Sequence, residues 1–83
     1  MFVGSVDLGN GTGLNLIIVP LKGSSLEGAW KPSTDLLLLC VMQNGKCCTC
    51  RPGDHPSRFQ EKLGLPGDDA KRLARWLETN LSD

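Results

Sequence analysis

Three of the four cysteines and the single histidine lie within ten residues, in the stretch KCCTCRPGDH from Lys46 to His55. Thiolate sulfur and imidazole nitrogen are the usual protein ligands of zinc, and a thiol near a histidine is a common arrangement for a cysteine nucleophile. The stretch therefore carries most of the chain's candidate chemistry. It could be a metal site, a disulfide pair, a catalytic cysteine, or a strand whose cysteines fill the core.

A zinc site is the alternative with a recognisable ligand spacing. Cys47 and Cys50 have the Cys-x-x-Cys spacing of a zinc knuckle, and Cys40 and His55 could complete a Cys3His site. Structural zinc sites usually contain a second closely spaced pair, and the sequence does not supply one. We therefore expect no cofactor, and keep zinc as the alternative, in a small zinc-stabilised or nucleic-acid-binding module.

Reduced thiols packed in the core or on a sheet face are the expected state of the four cysteines. Free cysteine is among the most buried residue types. Disulfides would require an oxidising compartment, and the sequence shows no secretion signal. A catalytic cysteine would require a third group to orient His55, and its neighbour Asp54 is badly placed to face the same ring. We predict that the protein is not an enzyme.

The Asn44-Gly45 pair predicts a hairpin in this region, because both residues tolerate a positive φ. We predict strands over 36–43 and 46–51. A helix that starts at Ser33 or Thr34 and ends at Gln43 is the rival, because the leucines favour helix by propensity.

A two-residue turn at Asn44-Gly45 would also fix the faces on which the thiols lie. Met42 would pair with Cys47, and side chains would alternate from there along both strands. One face would then carry Cys40 and Cys47, and the other Cys48 and Cys50. Four ligands divided in this way cannot surround one zinc ion.

The glycine-rich stretch VDLGNGTG, from Val6 to Gly13, resembles the first phosphate loop of the actin and sugar-kinase ATPases. The resemblance covers these eight residues and implies a nucleotide site between two large domains, which 83 residues cannot supply. The alternation in FVGSVDL and the apolar run LNLIIVPL indicate two strands joined by a flexible turn. Because the second strand is apolar on both faces, we expect it at the centre of the sheet.

The last third of the chain changes to helical spacing. A first helix begins near Pro56, with Asp54 or His55 as its cap, and ends at Gly64. A second helix is capped by Asp68 or Asp69. The apolar stripe of the second helix consists of Ala70, Leu73, Ala74, Leu77 and Leu81, with Trp76 at its margin.

This order of elements predicts a single α+β domain over residues 1–83, mainly β over 1–52 and helical over 54–82. We expect a small antiparallel sheet of about four strands, in two hairpins, packed by two C-terminal helices. Nine basic and nine acidic residues give a formal net charge of zero, so nucleic acid and anionic membranes are unfavoured partners. The longest apolar run, Leu36–Met42, is far shorter than the roughly 20 residues of a transmembrane helix, and we expect a cytoplasmic protein.

A compact neutral domain without evident catalytic groups is expected to act by binding. We predict a small protein-interaction module or inhibitor, by analogy with phage-encoded inhibitors of host or defence proteins. The candidate contact residues are Trp30, as an aromatic anchor, and Arg72 and Arg75, which lie away from the centre of the apolar stripe.

Overall fold

The computed structural model describes residues 2–9, 11–21 and 35–81. Its elements, in chain order, are β1 (Phe2–Asp7), β2 (Gly13–Pro20), β3 (Leu36–Met42), β4 (Cys47–Cys50), α1 (Pro56–Leu63) and α2 (Gly67–Leu81). The strands form one antiparallel sheet in the order β1-β2-β3-β4, and the two helices follow. The predicted α+β fold is confirmed, including the inner position of β2. Trp30 lies outside the described residues.

One face of the sheet forms the core together with both helices. The sheet contributes buried side chains from alternate positions, and the helices add Phe59 and Leu63 from α1 and Leu73 and Leu77 from α2. The buried strand residues are Val6, Leu14, Leu16, Leu38, Cys40, Cys48 and Cys50. Because strand side chains alternate between faces, the intervening residues lie on the side of the sheet opposite the helices.

Leu8, Gly9, Gly11 and Thr12 are the described residues between β1 and β2. The Leu8 amide donates to the Thr12 carbonyl at 2.9 Å, and the Gly9 amide donates to the Asp7 carboxylate at 2.8 Å. The stretch that resembles a phosphate loop therefore joins two antiparallel strands, as the hairpin interpretation predicted.

Residues 36–42 form β3, so the rival helix is wrong. Leucine favours helix by propensity, but β3 pairs with β2 along its whole length and with β4 over four residues. Such pairing and burial commonly override intrinsic propensity.

The boundaries of α1 agree with the sequence signals. The His55 ring nitrogen Nδ1 accepts a hydrogen bond from the Ser57 amide at 3.1 Å, so His55 caps the helix. Gly64 ends α1 with a φ of 70°, in the left-handed conformation.

The start of α2 differs from the prediction. The helix begins at Gly67, and the Ala70 amide donates to the Pro66 carbonyl at 2.9 Å. Asp68 and Asp69 therefore lie within the first turn and do not cap it. Their negative charge still favours the positive end of the helix dipole.

Neither α1 nor α2, nor any other helix within the described residues, has the length and apolar character needed to cross a membrane.

Candidate functional site

The turn between β3 and β4 is one residue longer than predicted. Cys40 pairs with Cys48, and the Met42 amide donates to the Lys46 carbonyl at 2.7 Å. Three residues, 43–45, therefore form the loop. Only Gly45 among them has a positive φ, of 90°, which is typical of a type I turn followed by a left-handed glycine.

This one-residue difference reverses the predicted faces of β4. A strand that shifts by one residue turns every side chain to the opposite face of the sheet. Cys48 and Cys50 therefore join Cys40 on the buried face, and Cys47 lies on the other face, exposed. The predicted pairing of Cys40 with Cys47 on one face is wrong.

Cys40, Cys48 and Cys50 together form the thiol cluster of the core. Their exposed fractions are 0%, 8% and 2%, respectively. The Cys40 thiol donates a hydrogen bond to the Cys50 sulfur, with 2.9 Å between the two Sγ atoms. All four cysteines are free thiols, and the cluster fills space beneath the helices as the core-filling interpretation expected.

The four residues of the zinc alternative are not gathered at one point. Cys40 and Cys50 are in contact, whereas Cys47 projects from the opposite face of the sheet. The His55 ring binds the start of α1, with Nδ1 2.8 Å from the Ser57 hydroxyl. Within residues 2–9, 11–21 and 35–81, no group of three or more His, Cys, Asp or Glu side chains is arranged to hold a metal ion.

The pKa of two cluster thiols is raised in the folded chain. For Cys40 the largest cause of the raised pKa is the hydrogen bond with Cys50, followed by burial. For Cys48 burial raises the pKa, and the positive charge of Arg58 opposes that effect. Both thiols therefore keep their protons at pH values where an exposed thiol ionises.

Stability is expected to fall as the pH rises above about 9, the ordinary pKa of an exposed thiol. Above that pH the unfolded chain loses thiol protons that the folded chain retains, so ionisation favours the unfolded state. For Cys40 the loss is about 1.4 kcal/mol per pH unit. Urea unfolding between pH 7 and pH 10 measures it, and the chain has no tyrosine to titrate in this range.

The matched variants for this measurement are Cys40→Ala and Cys47→Ala. Cys40→Ala should reduce the slope of stability against pH above 9, whatever its effect on stability at pH 7. Cys47→Ala, at the exposed thiol, should leave the slope close to that of the unmodified chain. An equal slope in all three proteins would contradict the assignment to Cys40.

The predicted contact arginines occupy different settings on α2. Arg72 donates from Nη1 to the Leu8 carbonyl at 3.1 Å and lies 3.7 Å from the Asp69 carboxylate, although half of its side chain is exposed. It therefore ties α2 to the residue that follows β1. Arg75 is exposed. Arg72 has a role within the fold, so Arg75 is the cleaner probe of a contact with a partner.

Sequence reasoning missed an apolar surface on the side of the sheet away from the helices. Val3, Ile17 and Leu39 lie in register across β1, β2 and β3, and Val19 pairs with Leu37 beside them. We call this surface the aliphatic face, formed by Val3, Ile17, Val19, Leu37, Leu39 and Val41. Val3 is 53% exposed and Leu37 is 40% exposed.

The signal for this surface was present in the sequence. The runs LIIV in β2 and LLLLCV in β3 are apolar at both odd and even positions. That pattern predicted a central strand, and it also places aliphatic side chains on both faces of the sheet.

Comparison with protein-family models, with curated proteins and with solved structures found no match.

Proposed function

We propose that this chain is a protein-binding domain and that its partner docks on the aliphatic face. The observation that supports this proposal is the contiguous row of Val, Ile and Leu side chains across β1, β2 and β3. An antiparallel sheet with one face in the core usually presents polar residues on the other. Val3 and Leu37 are exposed, and the other four side chains of this face are half-buried. Contiguous apolar surface that solvent still reaches is typical of an interaction site.

The residues around the aliphatic face indicate what kind of partner fits. Ser5, Asn15 and Thr49 project from the same side of the sheet and border the aliphatic side chains. Among the described strand residues of this face, Asp7 at its margin is the only charged one. An apolar centre with a polar rim is the usual composition of a protein interface. The partner should therefore present an uncharged, apolar surface.

The basic side chains support a nucleic-acid role less well. Arg58 donates from Nη2 to the Thr49 carbonyl and hydroxyl, both at 3.0 Å, and its Nε lies 3.7 Å from Asp54. Arg72 likewise lies beside Asp69. Arg58 and Arg72 therefore both have acidic neighbours, which weakens their attraction to phosphate.

The test compares two double-lysine variants that add the same charge. Val3→Lys/Leu37→Lys changes the two most exposed side chains of the aliphatic face. Gln60→Lys/Thr79→Lys changes exposed helix residues and is the control. Sedimentation of the unmodified chain first determines whether it self-associates, in which case a second copy is the partner. Otherwise, proteins from the source cells are captured on each variant.

A captured protein is then purified and titrated with all three forms. We expect the aliphatic-face variant to bind at least about tenfold more weakly, a loss of about 1.4 kcal/mol, while the helix variant binds like the unmodified chain. The partner's own activity, followed in the same titration, determines whether binding inhibits it, as the analogy with phage inhibitors suggests. Equal binding by both variants, with both folded, would contradict the proposal. Arg75→Glu tests the predicted helix contact separately.

A further inference from the structure

We infer that Cys40 and Cys50 are a reversible redox site, which closes a disulfide between β3 and β4 by exchange with a low-molecular-weight disulfide. This inference is independent of the proposed docking surface, which lies on the opposite face of the sheet.

The arrangement of the two sulfur atoms carries the inference. Cys40 pairs across the sheet with Cys48, and Cys50 is the next residue of β4 on the same face. Cys40 and Cys50 are therefore diagonal neighbours, and their Sγ atoms are 2.9 Å apart. An S–S bond is about 2.0 Å long, so bond formation must close the remaining gap of about 0.9 Å. The two sulfurs already face each other and are held by the packing around them.

A surface cleft gives small molecules a route to Cys50. The cleft has a volume of about 280 Å³ and is lined by Thr49, Cys50, Arg51, Asp54 and Arg58. Cys50 is only 2% exposed, so only a small part of its surface is accessible from the cleft. The space suits a small molecule better than a protein disulfide. Two arginines against one aspartate among the lining residues favour an anionic reactant.

The exchange proceeds in two steps that conserve atoms and electrons. Cys50, which lines the cleft, releases its proton to solvent, and its sulfur attacks one sulfur of the small disulfide. The S–S bond of the small disulfide breaks, and one small thiolate leaves and takes up a proton. The Cys40 sulfur then attacks the Cys50 sulfur, and the bond between Cys50 and the second small thiol breaks. The departing small thiolate takes up the proton that Cys40 gives up. Two protein thiols are oxidised, and one small disulfide is reduced to two thiols.

The hydrogen bond between the thiols supports this order. Cys40 donates to Cys50, and the pKa of Cys40 is raised by that bond and by burial. Cys40 therefore keeps its proton until the mixed disulfide forms on Cys50. An excess of small thiol should reverse both steps and restore the reduced pair.

The experiment treats the folded full-length chain with glutathione disulfide, blocks the remaining thiols, and digests with trypsin. Lys46 lies between the two cysteines, whereas the Lys31 and Arg51 cleavage points each precede a proline. Cys40 is then recovered in peptide 23–46 and Cys50 in peptide 47–58. We expect these two peptides to be joined, with the loss of two hydrogen atoms, and to separate on treatment with dithiothreitol.

The partner of Cys40 is assigned in two ways, because Cys47, Cys48 and Cys50 share one peptide. Fragmentation of the joined peptide from the unmodified chain should locate the bond at Cys50, without any substitution. Cys50→Ala should remove the joined peptide, and Cys47→Ser should retain it. Absence of a joined peptide, a bond located at Cys47 or Cys48, or an undiminished link in Cys50→Ala would overturn the inference.

Discussion

A chain that ends after Gly67 is expected to be unfolded. The deletion removes nearly all of α2, which contributes Ala70, Leu73 and Leu77 to the core, each fully buried. Loss of one such leucine side chain typically costs about 2 to 5 kcal/mol. A domain of this size has a total stability of roughly 4 to 12 kcal/mol, at about 0.05 to 0.15 kcal/mol per residue. Removal of the whole helix should therefore exceed the available stability.

Circular dichroism and urea titration measure this effect. The truncated chain should show no cooperative transition, whereas a chain that lacks only Ser82 and Asp83 should unfold like the full chain. The full-length variant Leu73→Ala/Leu77→Ala separates lost packing from lost length, and it should also fail to fold cooperatively. A truncated chain that remains monomeric and unfolds cooperatively would show that α2 only docks on a core that is already complete.

The helices could be predicted closely because their signals are local. Pro56 suits the first turn of α1, and His55 caps the helix from the preceding position. Gly64 ends it because glycine adopts the left-handed conformation without strain. Each of these effects acts within a few residues. The start of α2 was less well predicted because aspartate favours both a cap and a first turn, and the two positions differ by only one or two residues.

The register of the second hairpin could not be obtained from Asn44-Gly45 alone. An Asn-Gly pair suits a two-residue turn, but the same two residues also fit a three-residue loop that ends in a left-handed glycine. The choice between them depends on which face of β4 meets the helices. The longer loop buries Cys48 and Cys50 beside Cys40, and the shorter one would have turned both away from α1. The packing of β4 against the helices is a long-range contact, so no local sequence pattern predicts it.

Neither the aliphatic face nor the thiol pair could be predicted, because both depend on which side of the sheet the helices cover. Apolar residues at every position of β3 predict a strand that is buried on both sides. Only the packing places both α1 and α2 against one side, together with Leu38 and Cys40. Leu37 and Leu39 then lie on the opposite side. The residue types of both sites could therefore be identified from the sequence. The face of the sheet on which each residue lies could not, because it depends on where the helices pack.

Phe59→Ala is expected to destabilise the protein by about 3 to 5 kcal/mol. Phe59 is fully buried and is the largest such side chain among the described residues. It projects from α1, which contacts both β4 and α2, so its ring packs at the junction of these elements. The substitution removes apolar area from the core and leaves a cavity that the surrounding sheet and helix can fill only in part. Urea unfolding measures the loss as a lower midpoint at an unchanged slope.

Two further variants separate the cavity from other effects at α1. Phe59→Leu keeps most of the apolar volume and should lose clearly less stability than Phe59→Ala. Gln60→Ala, at the exposed neighbouring position, should change stability by less than about 0.5 kcal/mol, as surface substitutions usually do. The order alanine, leucine, unmodified chain in rising midpoint would follow from packing at this junction. A loss below about 1 kcal/mol for Phe59→Ala would instead mean that α1 detaches from β4 and α2 at little cost, and that the core is held by the sheet and α2 alone.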